Sequence, residues 1–535
     1  MAADPKIPPF EATSLDEIAR YAVEARAAYA SQKTKDVEWR LVQLRKLYWG
    51  ITDNTPKVLA ALKQDIGKPS TEAMLGEVGF ALTDLNHALK NLKTWVKDDT
   101  DLDYPLSFAP LKPHIRKEPL GPVLIIGPYN YPFMLTIAPL VGAISAGCTA
   151  VVKPSESAPA TAMVLKEIVE MYLDPGSFHV VNGAIPETTA LLNEKWEKIL
   201  YTGNATVARI IAKKAAETLT PVALELGGRN PAFVSKASNL PLAARRLMWG
   251  KCNNAGQVCM SHNYVCVERD VVDDFIKYLN ATNKEFFPEG PKASPDYARI
   301  VNERQFDRIK NMLDTTSGKI VMGGETDKSE LFIAPTAVLV DSIDDPMMTD
   351  ESFGPIWSIY PVDNVKEAIK IMNKVDPTPL SLMTFGSKPE NELVLSHVTS
   401  GGASMNDAYM HGSVSTLPFG GVGESGTGAY HGRASFDCFT HRRTVVTTPG
   451  WMDRLLRVRY SPYSSSALKQ FLWMNSRKPD FDRDGKQIAG LSYWFWMVFG
   501  LGGPTAKGAL IRWLAVLAAG YAYFTQSHHF TKLIS

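Results

Sequence analysis

The chain has 535 residues, more than one hydrophobic core usually serves, so two or three folded units are expected. Hydrophobic residues make up 45% and charged residues 21%, which is typical of a globular protein and leaves little room for long disordered tracts. Because the formal net charge is only +1, no global field favours nucleic acid, and no nucleic-acid partner is expected. Any recognition of phosphate must be local.

The cysteines are few and odd in number, and their spacing lacks the CxxC pattern of zinc and redox sites. We therefore expect a reducing compartment and no metal. The first residues have neither a basic region followed by an apolar core nor an Arg-rich amphipathic presequence. They indicate neither secretion nor import into a mitochondrial matrix.

Residues 14–98 are predicted to be helical, because Ala, Leu, Lys and Arg recur at helical spacing after a capping sequence that runs from Ser14 to Glu17. The stretch 99–120 is dotted with prolines, which indicates a connector or an edge hairpin. We expect this stretch to protrude from the body as an arm.

Between 121 and 225, short apolar runs alternate with helical segments, and each run is followed by Gly, Pro or Asn. Buried runs separated by helices indicate βαβ units and a parallel sheet, as in a doubly wound dinucleotide-binding domain. A second alternation, from Pro231 to Phe385, predicts a second α/β domain.

The C-terminal segment is much more apolar than the rest of the chain. A membrane-spanning helix needs roughly 20 apolar residues, and neither 491–503 nor 508–524, which contains Arg512, is long enough alone. Aromatic residues flank an aliphatic centre, however, and cations lie near its ends, as at a membrane interface. We expect 491–524 to be a hydrophobic membrane anchor, either a short span or a re-entrant hairpin; a soluble core helix is the alternative.

Cys259 and Glu225 are the candidate catalytic pair. A thiol flanked by small and amide residues, together with a carboxylate on a glycine-rich turn, suits covalent catalysis followed by hydrolysis. The run 254–257 allows close backbone approach and is expected to lead into a helix N-terminus, which would lower the pKa of the thiol. Alternatively, Cys259 is an inert core residue and Glu225 caps a turn.

Polar residues follow the predicted strands of the first domain. Asn130 comes just beyond one strand, where ligands bind in open α/β sheets, unless it only satisfies its own loop. Lys153 and Glu156 follow the next strand and suit ribose hydroxyls, although a solvated surface pair would look the same. An acidic residue at that place repels a 2′-phosphate, so NAD is favoured over NADP.

Two further positions are weaker candidates. Gly203 ends another strand, and the residues after it are expected to begin a helix that faces cofactor phosphates, although no GxGxxG fingerprint is present. Glu351 supplies a carboxylate for a second ribose with Phe353 beside it; a loop glutamate next to a core aromatic residue is the alternative.

In this order, together with the glycine-rich run Leu417 to Gly432, these motifs resemble the aldehyde dehydrogenase superfamily over about residues 14–447. The stretch 201–441 is most similar to the class 3 branch of fatty aldehyde dehydrogenases. The resemblance implies an α/β fold with a Rossmann-type NAD-binding domain, a second α/β catalytic domain, a small β oligomerisation arm and a membrane-associated tail.

The same resemblance implies domain limits. The NAD-binding domain would comprise 1–98 and 121–224, and the catalytic domain 225–410. The arm would comprise 99–120 and 411–447 and would join two copies in a homodimer. Residues 448–490 would form a linker with a gating helix before the anchor.

Residue roles also follow from the resemblance. Cys259 would be the nucleophile, Glu225 the general base, and Asn130 with the backbone N–H of Cys259 the oxyanion hole. The cofactor would be held by Lys153 and Glu156 at the adenosine ribose, Gly203 near the pyrophosphate, Glu351 at the nicotinamide ribose and Phe353 beside the ring.

The implied activity is NAD-dependent oxidation of medium- to long-chain fatty aldehydes to carboxylic acids, through a Cys259 thiohemiacetal and thioester. NADP is the alternative cofactor, and the catalytic domain would face the cytosol from a membrane. Ser352 and the pair Ser261-His262 depart from the family pattern, which bears on the choice of substrate. The alternatives are another aldehyde class, a coenzyme A-acylating enzyme on the same fold, or a catalytically silent membrane scaffold.

Overall fold

The computed structural model describes residues 5–475, 481–487, 490, 495, 499 and 510–521. The chain divides into two compact units. The first comprises Met1–Tyr104 and Pro113–Val446, and the second comprises Pro105–Lys112 and Thr447–Ser535.

The N-terminal segment is mainly helical from Leu15 to Trp95, as the sequence predicts. The capping sequence forms a capping box, in which Ser14 Oγ accepts the N–H of Glu17 at 3.3 Å and Glu17 Oε2 accepts the N–H of Ser14 at 3.1 Å.

The helices are α1 (Leu15–Ala30), α2 (Val37–Asp53), α3 (Thr55–Ile66), α4 (Ser70–Ala73), α5 (Phe80–Trp95), α6 (Met134–Ala146), α7 (Pro159–Tyr172), α8 (Ile185–Asn193), α9 (Ala205–Glu217), α10 (Leu240–Cys252), α11 (Val272–Phe286), α12 (Glu303–Thr315), α13 (Pro346–Thr349), α14 (Val365–Val375), α15 (Lys388–His397), α16 (Gly432–Cys438), α17 (Asp453–Leu456) and α18 (Ser465–Asn475).

The strands form two large sheets and two small ribbons. They are β1 (His114–Pro119), β2 (Pro122–Ile126), β3 (Thr149–Lys153), β4 (Phe178–Val180), β5 (Lys198–Gly203), β6 (Val222–Leu226), β7 (Pro231–Val234), β8 (Tyr264–Glu268), β9 (Lys319–Met322), β10 (Thr326–Asp327), β11 (Phe332–Ile333), β12 (Thr336–Leu339), β13 (Ile356–Val362), β14 (Ser381–Phe385), β15 (Gly402–Met405), β16 (Gly426–Thr427) and β17 (Thr440–Val445).

The first sheet has the order β16-β6-β5-β2-β3-β4 and is parallel except for β16. Strands β2 and β3 are buried along their whole length, since helices cover them, which explains why they read as continuous apolar runs. The core on one face is built by α2, α5, α6 and α7. This is the predicted doubly wound domain.

The second sheet has the order β15-β14-β7-β8-β13-β12-β9, and only β9 runs antiparallel to its neighbour. Its core includes the inward faces of α10, α11, α12 and α14. The second α/β alternation seen in the sequence is therefore a second sheet in the same unit.

The predicted arm contains a two-stranded antiparallel ribbon. Strand β1 pairs with β17 from His114 opposite Val445 to Pro119 opposite Thr440. Distant parts of the chain, 99–120 and 411–447, thus meet in one ribbon.

The predicted membrane anchor, 491–524, lies mostly outside the described residues. The part that is described includes helical residues 510–521 with exposed apolar side chains, among them Leu510, Ile511, Leu514 and Leu517. Within the described ranges, no helix combines the length and the apolar character needed to cross a membrane.

Candidate active site

The candidate residues meet at the carboxyl edge of the first sheet. Ile126, the last residue of β2, is paired with Lys153, the last residue of β3, and Gly203 at the end of β5 is paired with Leu226 at the end of β6. Because the parallel strands end together, the residues at and after these ends are brought to one edge, where open α/β sheets bind ligands.

Glu225 is a buried carboxylate with no strong partner. It lies on β6 opposite Thr202 of β5, and its side chain is almost fully enclosed. Neither carboxylate oxygen has a hydrogen-bond partner among the residues that the structure describes. Burial raises the pKa of Glu225 to about 8, while the nearby thiol of Cys259 lowers it by less. Such a carboxyl titrates close to neutral pH, as a general base requires.

Cys259 lies in a turn before β8, and its side chain is 8% exposed. The prediction that this run leads into a helix N-terminus is wrong, because the chain passes from the turn into strand β8. The expected fall in the pKa is also wrong: burial first, and then the nearby Glu225, raise the pKa of the thiol well above its ordinary value. Both effects favour the neutral thiol over the thiolate.

The approach to Cys259 has an unusual backbone. Asn254 and Ala255 adopt positive φ angles of 53° and 50°, and Gly256 follows with φ of 71°. A Cβ atom on Gly256 would lie 2.1 Å from the carbonyl oxygen of Gly354, so only glycine fits there. The close backbone approach predicted from the run 254–257 is present.

Asn230 fixes the turn that carries the thiol. Its Nδ2 donates to the carbonyl oxygens of Cys259 at 2.7 Å and Ser261 at 3.0 Å, and its Oδ1 accepts the N–H of Ser381 at 2.8 Å. Asn230 is not among the residues predicted from the sequence, because a lone asparagine before a strand forms no distinctive pattern.

Asn130 is buried in the loop between β2 and α6. Its Nδ2 donates to the carbonyl oxygen of Gln257 at 3.0 Å, two residues before the thiol. An amide nitrogen carries two hydrogens, so this bond orients the group and leaves a second donor. The backbone carbonyl of Asn130 accepts from Nζ of Lys68 and Nδ2 of Asn254.

The surroundings of the thiol are apolar and aromatic. Cys259 belongs to one buried cluster together with Met134, Leu135, Ala138, Leu380, Phe419 and Tyr430. Partly buried side chains of Phe80, Tyr131, Met260 and Phe353 pack against it. The site therefore favours an apolar substrate next to a few polar atoms.

Lys153 and Glu156 form a half-buried ion pair. Nζ of Lys153 lies 3.0 Å from Oε2 of Glu156; the lysine side chain is 4% exposed and the glutamate 47%. After β5, the Oδ1 of Asn204 accepts the N–H of Val207 and caps α9, as the helix predicted after Gly203 requires. The charged pair and the helix N-terminus lie at the same sheet edge.

Glu351 reaches the glycine turn after β6. Its Oε1 accepts the N–H of Gly228 at 3.2 Å, and Arg308 donates to the carbonyl oxygens of Glu351 and Ser352 at 2.8 and 2.6 Å. Burial raises the pKa of Glu351 to about 7. Phe353 has a positive φ of 39°, and its ring meets that of Tyr129 edge-on at 5.9 Å between centroids.

These residues fit a dinucleotide. A Cβ atom on Gly227 would lie 2.2 Å from Oε1 of Glu351, so the absence of a side chain there lets the Glu351 carboxylate approach the turn. The edge also offers an accessible carboxylate at Glu156, a cation at Lys153 and the N-terminus of α9, the groups that ribose hydroxyls and phosphates need.

Ser261, His262 and Ser352, the positions that depart from the family pattern, are buried. Each takes part in at least one hydrogen bond. Nζ of Lys251 donates to the carbonyl oxygen of His262 at 2.7 Å and to Oγ of Ser352 at 3.3 Å, and Oγ of Ser261 donates to the carbonyl of Gly250. Burial lowers the pKa of Lys251 to about 7. Over the described part of the chain, no cluster of three or more His, Cys, Asp and Glu suits a metal ion.

Comparisons with known proteins agree with this geometry. The model of the aldehyde dehydrogenase family matches residues 5–445. The chain is 59% identical to the beta-apo-4′-carotenal oxygenase of Neurospora crassa over 97% of this chain and 98% of that one. It is 41% identical to aldehyde dehydrogenase family 3 member A2 of Rattus norvegicus over 82% and 90%.

A solved structure, the substrate-bound state of Staphylococcus aureus AldH, superposes with a TM-score of 0.79 at 38% identity, covering 83% of this chain and 98% of that one. The resemblance to the class 3 branch is confirmed. The chain belongs to the aldehyde dehydrogenase family, and it is an oxidoreductase that acts on aldehydes with NAD or NADP.

Proposed function

We propose that this protein oxidises long apolar aldehydes to carboxylic acids, with Cys259 as the nucleophile, Glu225 as the general base, and Asn130 with the N–H of Cys259 as the oxyanion hole. The observation that carries the proposal is the buried thiol, which lies in an apolar cluster near the buried carboxyl of Glu225, whose oxygens have no hydrogen-bond partner in the described part of the chain. Covalent catalysis needs this pair, and the apolar lining supports the kind of substrate.

The first step is addition of the Cys259 sulfur to the aldehyde carbon. The thiol releases its proton to solvent water, the new C–S bond forms as the π bond of the carbonyl breaks, and the carbonyl oxygen becomes the oxyanion of a thiohemiacetal. The second N–H of Asn130 and the backbone N–H of Cys259 hold this oxyanion; one such donor is worth on the order of 3 kcal/mol in other enzymes.

The cofactor supplies the hydride acceptor that takes the thiohemiacetal to the thioester. Lys153 and Glu156 would hold the adenosine ribose, Glu351 the nicotinamide ribose, and Gly203 would lie near the pyrophosphate. Phe353 would lie beside the nicotinamide ring. Because Glu156 is acidic, its repulsion of a 2′-phosphate supports NAD over NADP.

Hydrolysis of the thioester is the task of Glu225. In its ionised form the carboxylate accepts a proton from water as the water adds to the thioester carbon. The C–S bond then breaks to release the acid, and the proton on Glu225 passes to the sulfur and restores the thiol. The raised pKa of Glu225 makes this carboxylate a stronger base than an exposed one.

The substrate we favour is an apocarotenal, a long conjugated aldehyde. Support comes from the relative named a beta-apo-4′-carotenal oxygenase, which matches almost the whole chain at 59% identity. A medium- to long-chain fatty aldehyde is the second candidate, supported by the likeness to class 3 enzymes and by the same apolar cluster. Both substrates are apolar chains that end in one polar group.

The test is a steady-state series with NAD and with NADP. An apocarotenal and linear aldehydes from short to long are compared by kcat/KM, with Cys252→Ala as the matched control for Cys259→Ala, because both thiols are buried. We expect the apocarotenal to be preferred, Cys259→Ala to be inactive and Cys252→Ala to be active. A preference for short polar aldehydes would contradict the substrate, and turnover by Cys259→Ala would contradict the mechanism.

The same assay distinguishes the proposed hydrolytic enzyme from a coenzyme A-acylating enzyme on the same fold. Release of product by coenzyme A needs no carboxylate base, whereas the buried Glu225 supports release by water. We expect turnover to be independent of coenzyme A. A strict requirement for coenzyme A would reverse this assignment.

The division of the chain is part of the proposal. Residues 1–98 with 121–224 would bind NAD, 225–410 would complete the catalytic domain, and the β1–β17 ribbon would join two copies in a homodimer. The segment 448–490 would be a linker with a gating helix, and 491–524 would attach the enzyme to a membrane with the catalytic domain facing the cytosol. Exposed apolar side chains within 510–521 support the attachment.

A further inference from the structure

A charged pair is buried beside the candidate oxyanion hole. Nζ of Lys68 lies 2.5 Å from Oε1 of Glu77, and the two side chains are 1% and 0% exposed. Neither side chain has a part in the mechanism above. Burying two charges is costly, and a buried ion pair is weak evidence for stability, since apolar side chains of the same volume often serve as well.

The pair holds the Asn130 loop from both sides. Nζ of Lys68 donates to the carbonyl oxygen of Asn130 at 3.0 Å. Oε2 of Glu77 accepts the N–H groups of Phe133 at 3.1 Å and Met134 at 2.9 Å, where α6 begins. The ammonium also lies 3.9 Å from the centre of the Tyr131 ring. Three hydrogen bonds to the backbone and one contact with an aromatic ring therefore hold the segment 130–134.

The local backbone is specialised to place the glutamate. Glu77 belongs to a π-helical turn, Met74–Gly79, between α4 and α5. Such turns are rare and occur frequently at functional sites, because they widen the helix and redirect a side chain. The Glu77 side chain, which this turn carries, accepts the first N–H groups of α6, which otherwise have no partner within the helix.

We infer that Lys68 and Glu77 are a positioning pair that aims the side-chain amide of Asn130 at the oxyanion. The inference rests on the proposed role of Asn130. Lys68 fixes the backbone carbonyl of Asn130, and Gln257 fixes one N–H of its side chain, so the direction of the second N–H is determined. Removal of the pair would leave Asn130 in place but free to turn.

The test is a double-mutant cycle between Lys68→Met and Asn130→Ala. The rate is followed as kcat/KM for aldehyde with NAD, and separately as cofactor-independent hydrolysis of p-nitrophenyl acetate, whose addition to the thiol develops the same oxyanion. Misplacement of a catalytic group by about 1 Å costs on the order of 100-fold, so we expect Lys68→Met to lower both rates about 10- to 100-fold. In the Asn130→Ala background the same substitution should cost less than about twofold.

The matched control is Lys57→Met. Lys57 lies on α3, shortly before Lys68, and pairs with Glu167 at 2.5 Å, away from the loop. The Lys57→Met substitution should change both rates by less than about twofold in either background. Because Lys68→Met alone leaves a buried charge, the double substitution Lys68→Met with Glu77→Gln is a second variant; it removes both charges and keeps an acceptor for Phe133 and Met134.

Equal losses in both backgrounds would show that the pair acts only on the fold and would overturn the inference. Rates unchanged in a folded Lys68→Met or double variant would do the same. If Asn130→Ala lowers the two rates less than threefold, the proposed oxyanion hole is contradicted, and the inference that rests on it is contradicted as well. Large loss from Asn130→Ala with no loss from either pair variant would overturn the inference and leave the proposed function intact.

Discussion

The carboxylate of Glu351 accepts the backbone N–H of Gly228 across the turn that follows β6. This bond joins a loop before β13 of the second sheet to the end of a strand of the first, at the edge where the dinucleotide is expected. The adjacent Gly227 leaves no room for a side chain, because a Cβ atom there would lie 2.2 Å from Oε1 of Glu351. The side chain of Glu351 and the turn that follows the strand of Glu225 are thus in close contact.

Gly227→Ala should displace Glu351 and weaken the binding of NAD. A hydrogen bond to a charged group contributes about 1.5–3 kcal/mol, so we expect KM for NAD to rise roughly 10- to 100-fold. Gly176→Ala is the control, since its nearest neighbour beyond the adjacent residues would lie 3.8 Å from the new Cβ. An unchanged KM for NAD in Gly227→Ala would remove Glu351 from the cofactor site.

The affinity for NAD should also depend on pH through Glu351. Its pKa is raised to about 7 by burial, so the carboxyl is neutral below that pH and ionised above it. An ionised carboxylate accepts hydrogen bonds from both ribose hydroxyls better than a neutral carboxyl does. KM for NAD should therefore increase as the pH falls from 8 to 6, and Glu351→Gln should flatten this dependence while raising KM at pH 8.

Turnover should rise with pH through the ionisation of Glu225. A base must be deprotonated to act, and burial raises the pKa of Glu225 to about 8. We expect kcat to increase between pH 6.5 and 9 wherever hydrolysis of the thioester limits the rate. Glu225→Gln should give a burst of NADH of about one per site followed by turnover lowered on the order of 100-fold or more. A steady-state rate equal to that of the native enzyme would exclude Glu225 as the base.

Glu225 should cost the native state stability at alkaline pH. Its pKa is about 8 in the folded chain against an ordinary value of 4.5, so between these values the folded state keeps a proton that the unfolded state has released. Stability is therefore lost as the pH rises through this window. Glu225→Gln should raise the free energy of unfolding by an amount that grows from near zero at pH 4.5 to a few kcal/mol at pH 9. Denaturant unfolding at several pH values measures it, and a gain independent of pH would contradict the assignment.

The strand ends were predictable from the sequence because their causes are local. Apolar runs followed by Gly, Pro or Asn locate β2, β3 and β5, and the parallel arrangement then brings Asn130, Lys153 and Gly203 to one edge. The candidate residues at this edge therefore come from pattern alone.

The supporting residues were not predictable in this way, because their partners are distant in the chain. Lys68 meets Asn130, and Asn230 meets the carbonyl of Cys259, only after the sheets have folded. The pKa of the Cys259 thiol is governed by burial, which the local sequence 254–261 does not specify. The same local sequence predicted a helix N-terminus, whereas the chain enters β8 after this turn.

Membrane attachment should depend on the exposed apolar side chains of 510–521. Leu514 and Leu517 are 57% and 63% exposed, and transfer of such a side chain from water is worth about 1.5–3 kcal/mol when complete. Leu514→Glu with Leu517→Glu should therefore move most of the full-length protein from the vesicle pellet to the supernatant.

Removal of residues from Pro449 onward should move all of the protein to the supernatant and lower kcat/KM for long aldehydes more than for short ones. Ile185→Glu is the control, because Ile185 is 78% exposed on α8 of the first unit. Equal pelleting of all these variants would show that the tail does not attach the enzyme to membranes.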